Sequence, residues 1–423
     1  MVVETFVAFP GLDAAPRLAA PAVTNRIASA ALPPTAAAVA SSSAQPLLLA
    51  GAACGLLGLA GQRQQTRRGK AGKRQAAVTQ VRAGGKVECV CIVGSSGAVG
   101  AEMLKCLEDR NFPTEKVKLF ANRSAGTVVK SSKFGDITVE PFSLEAAREC
   151  EICLMAVSGD FSLEWSPKIR GGPKNTQIID NSSAWRMNEE TPLVIPEING
   201  ADKAESTLIS NPNCTTAIGA MALWPLHQKY GLKKVLMSTY QAASGAGAEG
   251  MAELENGLKA YVRDGKVSPP EFFAHQLPFN VIPHIDAFQE NGYTKEEMKV
   301  AWELKKIFGL SDDVLISCTA VRVPTLRAHS ESIVIETVKP CPPDEARELL
   351  RSAPGVKVVD DPAKKLYPLP LNATGQADVE VGRIRRSLVF GDNGLEFFVS
   401  GDQLLRGAAL NAVIIAEQAV ARR

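Results

Sequence analysis

From residue 86 onward the chain alternates short apolar runs with amphipathic stretches. Lys86-Val-Glu-Cys-Val-Cys-Ile-Val93 predicts a strand ending at a glycine, and the apolar spacing over 101–110 predicts a helix. Further strands are read at 117–121, 152–157, 177–180 and 206–210, each separated from the next by a helical segment or loop. That rhythm predicts a doubly wound parallel sheet. After residue 214 the pattern changes. Long strands at 234–243, 314–323 and 332–338, with helices near 248–262 and 294–307, predict an α+β domain with a mixed or antiparallel sheet. The last helix, 404–421, carries apolar positions at helical spacing and is expected to pack back on the first domain.

Residues 1–85 break this order. They are rich in Ala, Ser and Pro, and they hold nine Lys and Arg against two acids, Glu4 and Asp13. Few acids with Arg and Ser mark an organelle transit peptide, so a plastid presequence is expected, with a mitochondrial one as the alternative. The apolar run 47–60 is too short for an ordinary membrane span of about 20 residues, so no stable membrane insertion is expected. The rest of the chain holds 38 basic and 43 acidic residues and does not call for a nucleic-acid partner.

Nine cysteines are scattered along the chain, at 54, 89, 91, 106, 150, 153, 214, 318 and 341. A disulfide framework does not suit a body of this size, and a reducing compartment is expected. Cys150-Glu-Ile-Cys153 is read as the start of a strand, with its two thiols on opposite faces and without a redox or metal role. With no second such pair and no clustered histidines, no metal site is expected.

Between the first strand and first helix stands Gly94-Ser95-Ser96-Gly97-Ala98-Val99-Gly100. A strand, a G-x-x-G-x-x-G turn and a helix form the first half of a Rossmann-type dinucleotide-binding unit. The strand at 117–121 ends in Asn122-Arg123-Ser124 and not in the acid that would bind adenosine ribose hydroxyls. Arg123 and Ser124 instead offer a cation and a hydroxyl to a 2′-phosphate, so NADP is the expected cofactor.

Ser210-Asn-Pro-Asn-Cys214-Thr-Thr joins a strand to a long apolar helix. A helix N-terminus favours an anion, so Cys214 is expected to have a lowered pKa and to act as a nucleophile. A reactive thiol beside a nicotinamide points to redox chemistry at the acyl level. Of four histidines, His227 lies deep in that helix and reads as structural, while His275 and His284 sit in Pro-rich loops without an assigned role. His329 stands at a strand end, where catalytic groups are commonly displayed.

Taken together, the Cys214 segment, the glycine turn, Ser238-Thr-Tyr-Gln-Ala-Ala-Ser-Gly245 and Val321-Arg-Val-Pro-Thr-Leu-Arg-Ala-His329-Ser-Glu resemble the aspartate-β-semialdehyde dehydrogenase family over about residues 86–423. The resemblance implies that Cys214 is the nucleophile, His329 its acid/base partner and Gln241 the residue that positions the reacting group. It implies that Arg322 grips a substrate carboxylate, Glu296 meets its ammonium, and Arg186 and Lys299 hold phosphate, with Asn213 beside them. It adds Gly245 and Gln403 to the cofactor side and leaves Arg327 as a surface or structural residue.

The resulting expectation is a presequence at 1–85, an NADP-binding domain at 86–213 completed by 398–423, and a catalytic and dimerisation domain at 214–397. The implied reaction is NADPH-dependent reduction of 4-phospho-L-aspartate to L-aspartate 4-semialdehyde with release of inorganic phosphate, carried out by a homodimer or a tetramer. The rivals are an N-acetylglutamyl-phosphate reductase, which has no use for an acid at a free ammonium, and a catalytically silent binding protein, which would have lost the Cys or the His.

Overall fold

The computed structural model describes residues 85–200 and 203–423. Almost all of the expected presequence, and Cys54 within it, lies outside the described residues.

The first sheet is built from β1 (Val87–Val93), β2 (Thr114–Phe120), β3 (Val128–Ser131), β4 (Gly135–Glu140), β5 (Ile152–Met155), β6 (Gln177–Asp180) and β7 (Leu208–Ser210). Their order is β3-β4-β2-β1-β5-β6-β7, parallel throughout except for the β3–β4 edge hairpin. The central strands are apolar because both of their faces are covered. β1 buries every residue but Glu88, and β5 and β6 are buried along their whole length. Helices α1 (Ala98–Asp109), α2 (Leu144–Arg148), α3 (Gly159–Arg170) and α4 (Pro196–Asn199) accompany this sheet. The strands are parallel, so β1, β2 and β7 all end on one edge. The glycine turn, Arg123 and Cys214 follow those three ends, where open α/β sheets bind ligands.

Helix α5 (Cys214–Tyr230) leaves that edge and is apolar on nearly every side. It is clamped beneath a second sheet made of β8 (Leu232–Tyr240), β9 (Leu315–Thr319), β10 (His329–Thr337), β11 (Val356–Val358), β12 (Val379–Ser387) and β13 (Gly391–Gly401). The order is β11-β12-β13-β10-β8-β9, antiparallel in the centre and parallel at both ends. Helices α6 (Gly247–Asp264), α7 (Lys295–Phe308), α8 (Pro343–Ser352) and α9 (Pro370–Ala373) belong to this half, and α7 and α8 close its core with α5. Strand β10 places His329, Glu331, Ile333 and Ile335 on the helix-covered face, with Ser330 buried as well. The opposite face leaves Leu236, Tyr240 and Leu315 exposed.

The chain then returns to the first sheet. Helix α10 (Leu410–Val420) packs with α1, β1 and β5 in a single core. The expected single helix from 404 is two pieces, a π-helical turn at Leu405–Ala409 followed by α10. Strands β12 and β13 escape the sequence pattern because Gly382, Gly391 and Gly394 and the arginines at 383, 385 and 386 interrupt it, and the pairing carries register shifts there.

The Cys150-x-x-Cys153 reading is corrected. Cys150 precedes β5 and lies outside it, so strand alternation does not separate the two thiols. Both enter one buried cluster with Cys89 and Cys91, with Cys89 Sγ 2.8 Å from Cys150 Sγ. Among the described residues no His, Cys, Asp or Glu cluster is arranged to hold a metal.

Candidate active site

Asn213 fixes the position of Cys214. It is the N-cap of α5, and its Oδ1 accepts from the backbone N–H groups of Thr215 at 3.0 Å and Thr216 at 3.3 Å. Such a cap is typically worth about 1 kcal/mol. The same residue is tied to α7 twice. Its Nδ2 donates to Glu296 Oε1 at 2.9 Å, and its backbone N–H donates to Glu303 Oε2 at 2.6 Å. From the other side the π-helical turn presses Gly407 against the cysteine, so that a Cβ there would lie 2.7 Å from the Cys214 Cβ.

Folding overturns the expected low thiol pKa. Burial, with Glu296 adding, pushes the Cys214 thiol up to about 12, while Arg186, Arg322 and a hydrogen bond from Thr215 pull in the opposite direction. The helix N-terminus is a local effect, and it loses here to desolvation and a neighbouring carboxylate. The resting sulfur is therefore a thiol.

Cys214 opens on a cavity of about 380 Å³. Arg186, Asn213, Gln241, Gly245, Glu296, Lys299 and Arg322 all line it, joined by three residues the sequence did not indicate, Ser183, Ile285 and Asp286. Five segments far apart in the chain thus bring the expected groups to one sulfur.

The charges are arranged in pairs. Burial alone would raise the Glu296 pKa, but Lys299, Asn213 and Gln241 together hold its carboxyl below the usual value. Its Oε2 meets Lys299 Nζ at 3.1 Å, and its Oε1 accepts from Gln241 Nε2 at 3.2 Å. Lys299 is shared with Asp286 Oδ2 at 2.7 Å. Arg322 is buried and donates through Nη1 to the Ala242 carbonyl at 2.6 Å. Four of its five N–H groups are not committed by that bond. Arg186 is more occupied, donating to Asn211 O at 2.9 Å, Asn181 O at 2.7 Å and Glu303 Oε1 at 3.0 Å. Two guanidinium N–H groups remain to it for an anion in the cavity.

His329 is completely buried and stands behind Gly245. A Cβ on Gly245 would fall 3.1 Å from His329 Nε2 and 2.9 Å from Arg322 Nη1, so the absent side chain opens the imidazole and guanidinium to the site. The Ala242 backbone N–H donates to His329 Nδ1 at 3.0 Å. Nδ1 is therefore the acceptor, and the proton of the neutral ring sits on Nε2. Burial, with Arg322 adding, depresses the His329 pKa well below the ordinary value. The resting group is a neutral imidazole offering an Nε2–H.

The dinucleotide turn follows the end of β1. Gly94 has φ +83°, and a Cβ there would meet the Ala156 carbonyl oxygen at 2.2 Å. A Cβ at Gly100 would meet the Gly94 carbonyl oxygen at 2.3 Å, which packs α1 directly onto the turn. Ser95 is buried, its hydroxyl donating to Phe120 O at 3.3 Å, whereas Ser96 and Gly97 are exposed, and Ala98 and Val99 begin α1 half-buried. Gly97 caps α1 without a side-chain hydrogen bond, leaving first-turn N–H groups to an anion. Arg123 projects almost wholly into solvent, and the Ser124 hydroxyl is buried without a partner among the described residues. This set fits a dinucleotide. Gln403 is buried, with Nε2 on Ser244 Oγ and Oε1 accepting from Ala328 N–H at 2.8 Å.

Glu303 and Glu331 were also not indicated. Glu331 is wholly buried under α5, where its carboxyl fills the space a Cβ on Gly219 would need, and burial raises its pKa well above the ordinary value. His227 accepts from Leu232 N–H at 3.2 Å at the end of α5, in keeping with a structural role.

Residues 89–206 match the family "Semialdehyde dehydrogenase, NAD binding domain", and residues 223–406 match "Semialdehyde dehydrogenase, dimerisation domain". The chain is 44% identical over 332 residues to an aspartate-semialdehyde dehydrogenase of Aquifex aeolicus, covering 78% of this chain and 96% of that protein. It is 43% identical over 336 residues to the Synechocystis sp. protein of the same name, covering 79% and 97%. Among solved structures it is similar to aspartate semialdehyde dehydrogenase II from Vibrio cholerae complexed with ASA, with TM-score 0.73 and 33% identity over 78% of this chain and 97% of that one.

Proposed function

This chain belongs to the aspartate-semialdehyde dehydrogenase family, and we propose that it reduces 4-phospho-L-aspartate to L-aspartate 4-semialdehyde with NADPH, through a thioester on Cys214, in lysine, threonine and methionine biosynthesis. The observation that carries this reading is the single cavity in which Cys214 meets a carboxylate pair-former, an ammonium pair-former and two anion-binding cations.

Arg322 takes the α-carboxylate with its uncommitted fork, since a guanidinium matches a carboxylate bidentately. Glu296, held ionised, takes the α-ammonium, which has no counterpart in an N-acylated substrate. Arg186 and Lys299 take the phosphate. With both ends of the substrate fixed, the acyl carbon comes to Cys214 Sγ in reacting geometry, and Gln241 steadies the carbonyl. The sulfur passes its proton to the departing phosphate as it attacks, with Arg186 and Arg322 favouring the thiolate, and the protonated phosphate leaves. His329 then shares its Nε2 proton through a hydrogen bond with the oxygen on which negative charge develops, staying a neutral ring. A positioned proton donor of this kind contributes typically 10²–10⁴-fold in rate, about 3–5 kcal/mol.

NADPH supplies the hydride. Residues 94–100 hold its pyrophosphate, Arg123 and Ser124 its 2′-phosphate, and Gly245 and Gln403 frame the nicotinamide end. Arg123→Ala is expected to raise KM for NADPH while leaving KM for NADH unchanged. The exposed outer face of the second sheet, with Leu236, Tyr240 and Leu315, is the surface for a homodimer, with a tetramer as the larger alternative. Residues 1–85 serve as a plastid presequence, with a mitochondrial address as the alternative; a fluorescent fusion of this segment tests it.

The deciding experiment is NADP⁺ reduction by the full chain with L-aspartate 4-semialdehyde and inorganic phosphate. Turnover that disappears without phosphate supports the reaction, and an inactive wild-type chain that still binds NADPH overturns the substrate.

A further inference from the structure

Arg327, which the sequence leaves as structural, bridges the two halves of the molecule. It sits two residues before His329. Its Nη1 donates to Glu102 Oε1 at 2.6 Å, and its Nε donates to Asp402 Oδ2 at 2.7 Å. Glu102 is in α1, the helix opened by the glycine turn. Asp402 follows β13, is fully buried, and is itself fixed by backbone N–H groups of Gly375 at 2.6 Å and Leu404 at 3.0 Å. Asp402 is therefore the rigid end of the bridge, and Glu102 is the end that belongs to the dinucleotide-binding helix.

Between Arg327 and His329 stands Ala328 at φ +69°. A left-handed alanine is disfavoured unless its surroundings impose it. Here its N–H is held by Gln403 Oε1 at 2.8 Å. The left-handed step turns the backbone so that Arg327 reaches the first sheet's helix while His329 faces Ala242 and Gly245. Any change in the Arg327 anchor is thus delivered to the imidazole through one strained residue.

We propose that Arg327 is a positioning residue that ties helix α1 to the turn carrying His329, so that the catalytic imidazole is set by the dinucleotide-binding half. The inference rests on the proton-donor role given to His329 above. A simple surface ion pair would not do this. The bridge joins two carboxylates on separate cores, and its side chain is three-quarters shielded.

The test compares the full-length wild type with Arg327→Gln, Arg327→Lys, Glu102→Gln and the Arg327→Gln/Glu102→Gln double variant. Expected for Arg327→Gln is a fall in kcat of at least about tenfold, with KM for the semialdehyde changed by less than about twofold. The double variant is expected to be no worse than Arg327→Gln, because losing the guanidinium already breaks the link to Glu102. Lysine keeps one ion pair and is expected to recover part of the loss. A readout independent of turnover is the NMR titration of the His329 ring, assigned among four histidines by comparison with His329→Asn. In Arg327→Gln it is expected to move toward the ordinary histidine range as the ring loses its fixed setting. An unchanged imidazole titration overturns the inference whatever the substrate proves to be. With an active wild type, unchanged kcat in Arg327→Gln overturns it too. An inactive wild type instead overturns the proposed reaction and leaves the titration to decide the bridge.

Discussion

Gly407 and Cys214 touch so closely that position 407 has no room for a methyl group. A Cβ built there lies 2.7 Å from Cys214 Cβ and 3.0 Å from its Cα. The contact is made by the π-helical turn before α10, and such turns recur at functional sites. Gly407→Ala removes a helix-weakening glycine, which alone would stabilise by about 0.5–1 kcal/mol. The clash acts on backbone and on the nucleophile, and overpacking costs about 1–3 kcal/mol, so net destabilisation is expected. Thermal unfolding and steady-state activity check this, and a variant as active and as stable as wild type would refute the contact.

The resting thiol is expected to be sluggish. With a pKa near 12 against an ordinary 9, Cys214 offers roughly a thousandfold less thiolate at neutral pH than a free cysteine. Alkylation by iodoacetamide should be slow at pH 7 and should accelerate nearly tenfold for each pH step to 9. Glu296→Gln removes a charge that raises the pKa and should speed alkylation while abolishing substrate turnover. Rapid alkylation of the wild type at pH 7 would show that the sulfur is already ionised.

His329 should not titrate near neutrality. Its folded pKa lies well below 6.5, so the ring is neutral throughout the physiological range and protonates only in acid. The profile of kcat/KM is expected to lack a limb at pH 6.5 and to fall only at lower pH. His329→Asn is expected to lower kcat by 10²–10⁴-fold, roughly the worth of a positioned proton donor. A limb at 6.5 that vanishes in His329→Asn would contradict the buried neutral ring.

Glu331 makes the fold sensitive to alkali. Its folded pKa is raised above the ordinary 4.5 by burial, so the native state binds the proton more tightly than the unfolded chain. Stability from this group is intact below pH 4.5 and declines as pH rises toward the folded pKa, by up to about 1.4 kcal/mol per pH unit. Glu331→Gln keeps the shape without the charge and should flatten the loss of Tm as pH rises above 4.5. Parallel Tm curves for the two proteins would show that the carboxyl finds a proton-independent partner.

The legible parts of the molecule were those encoded within a few residues. The glycine turn and the Asn213–Cys214 junction each combine a strand end, a special residue and a helix start, so their local order was enough. The rest was hidden in long-range pairing. Glu303 reaches Arg186 across 117 positions and Glu102 reaches Arg327 across 225, and neither acid stands out from its own surface-like helix. The inverted thiol pKa has the same origin, because the local rule sees the helix terminus but not the burial and the Glu296 charge brought in by folding. Strands β12 and β13 were missed where bulges and glycines break the two-residue period that reveals a strand.

Helix α10 completes the first core only after the whole second sheet has been made. Synthesis proceeds from the N-terminus, so the first half leaves the ribosome with one wall of its interior missing, between α1 and the central strands. That apolar surface stays uncovered until residues 410–420, which begin two hundred residues after the end of β7, are in place. Folding of the dinucleotide-binding half thus waits for the last residues of the chain. A truncation that spares every residue of the catalytic cavity still leaves the dinucleotide-binding half open.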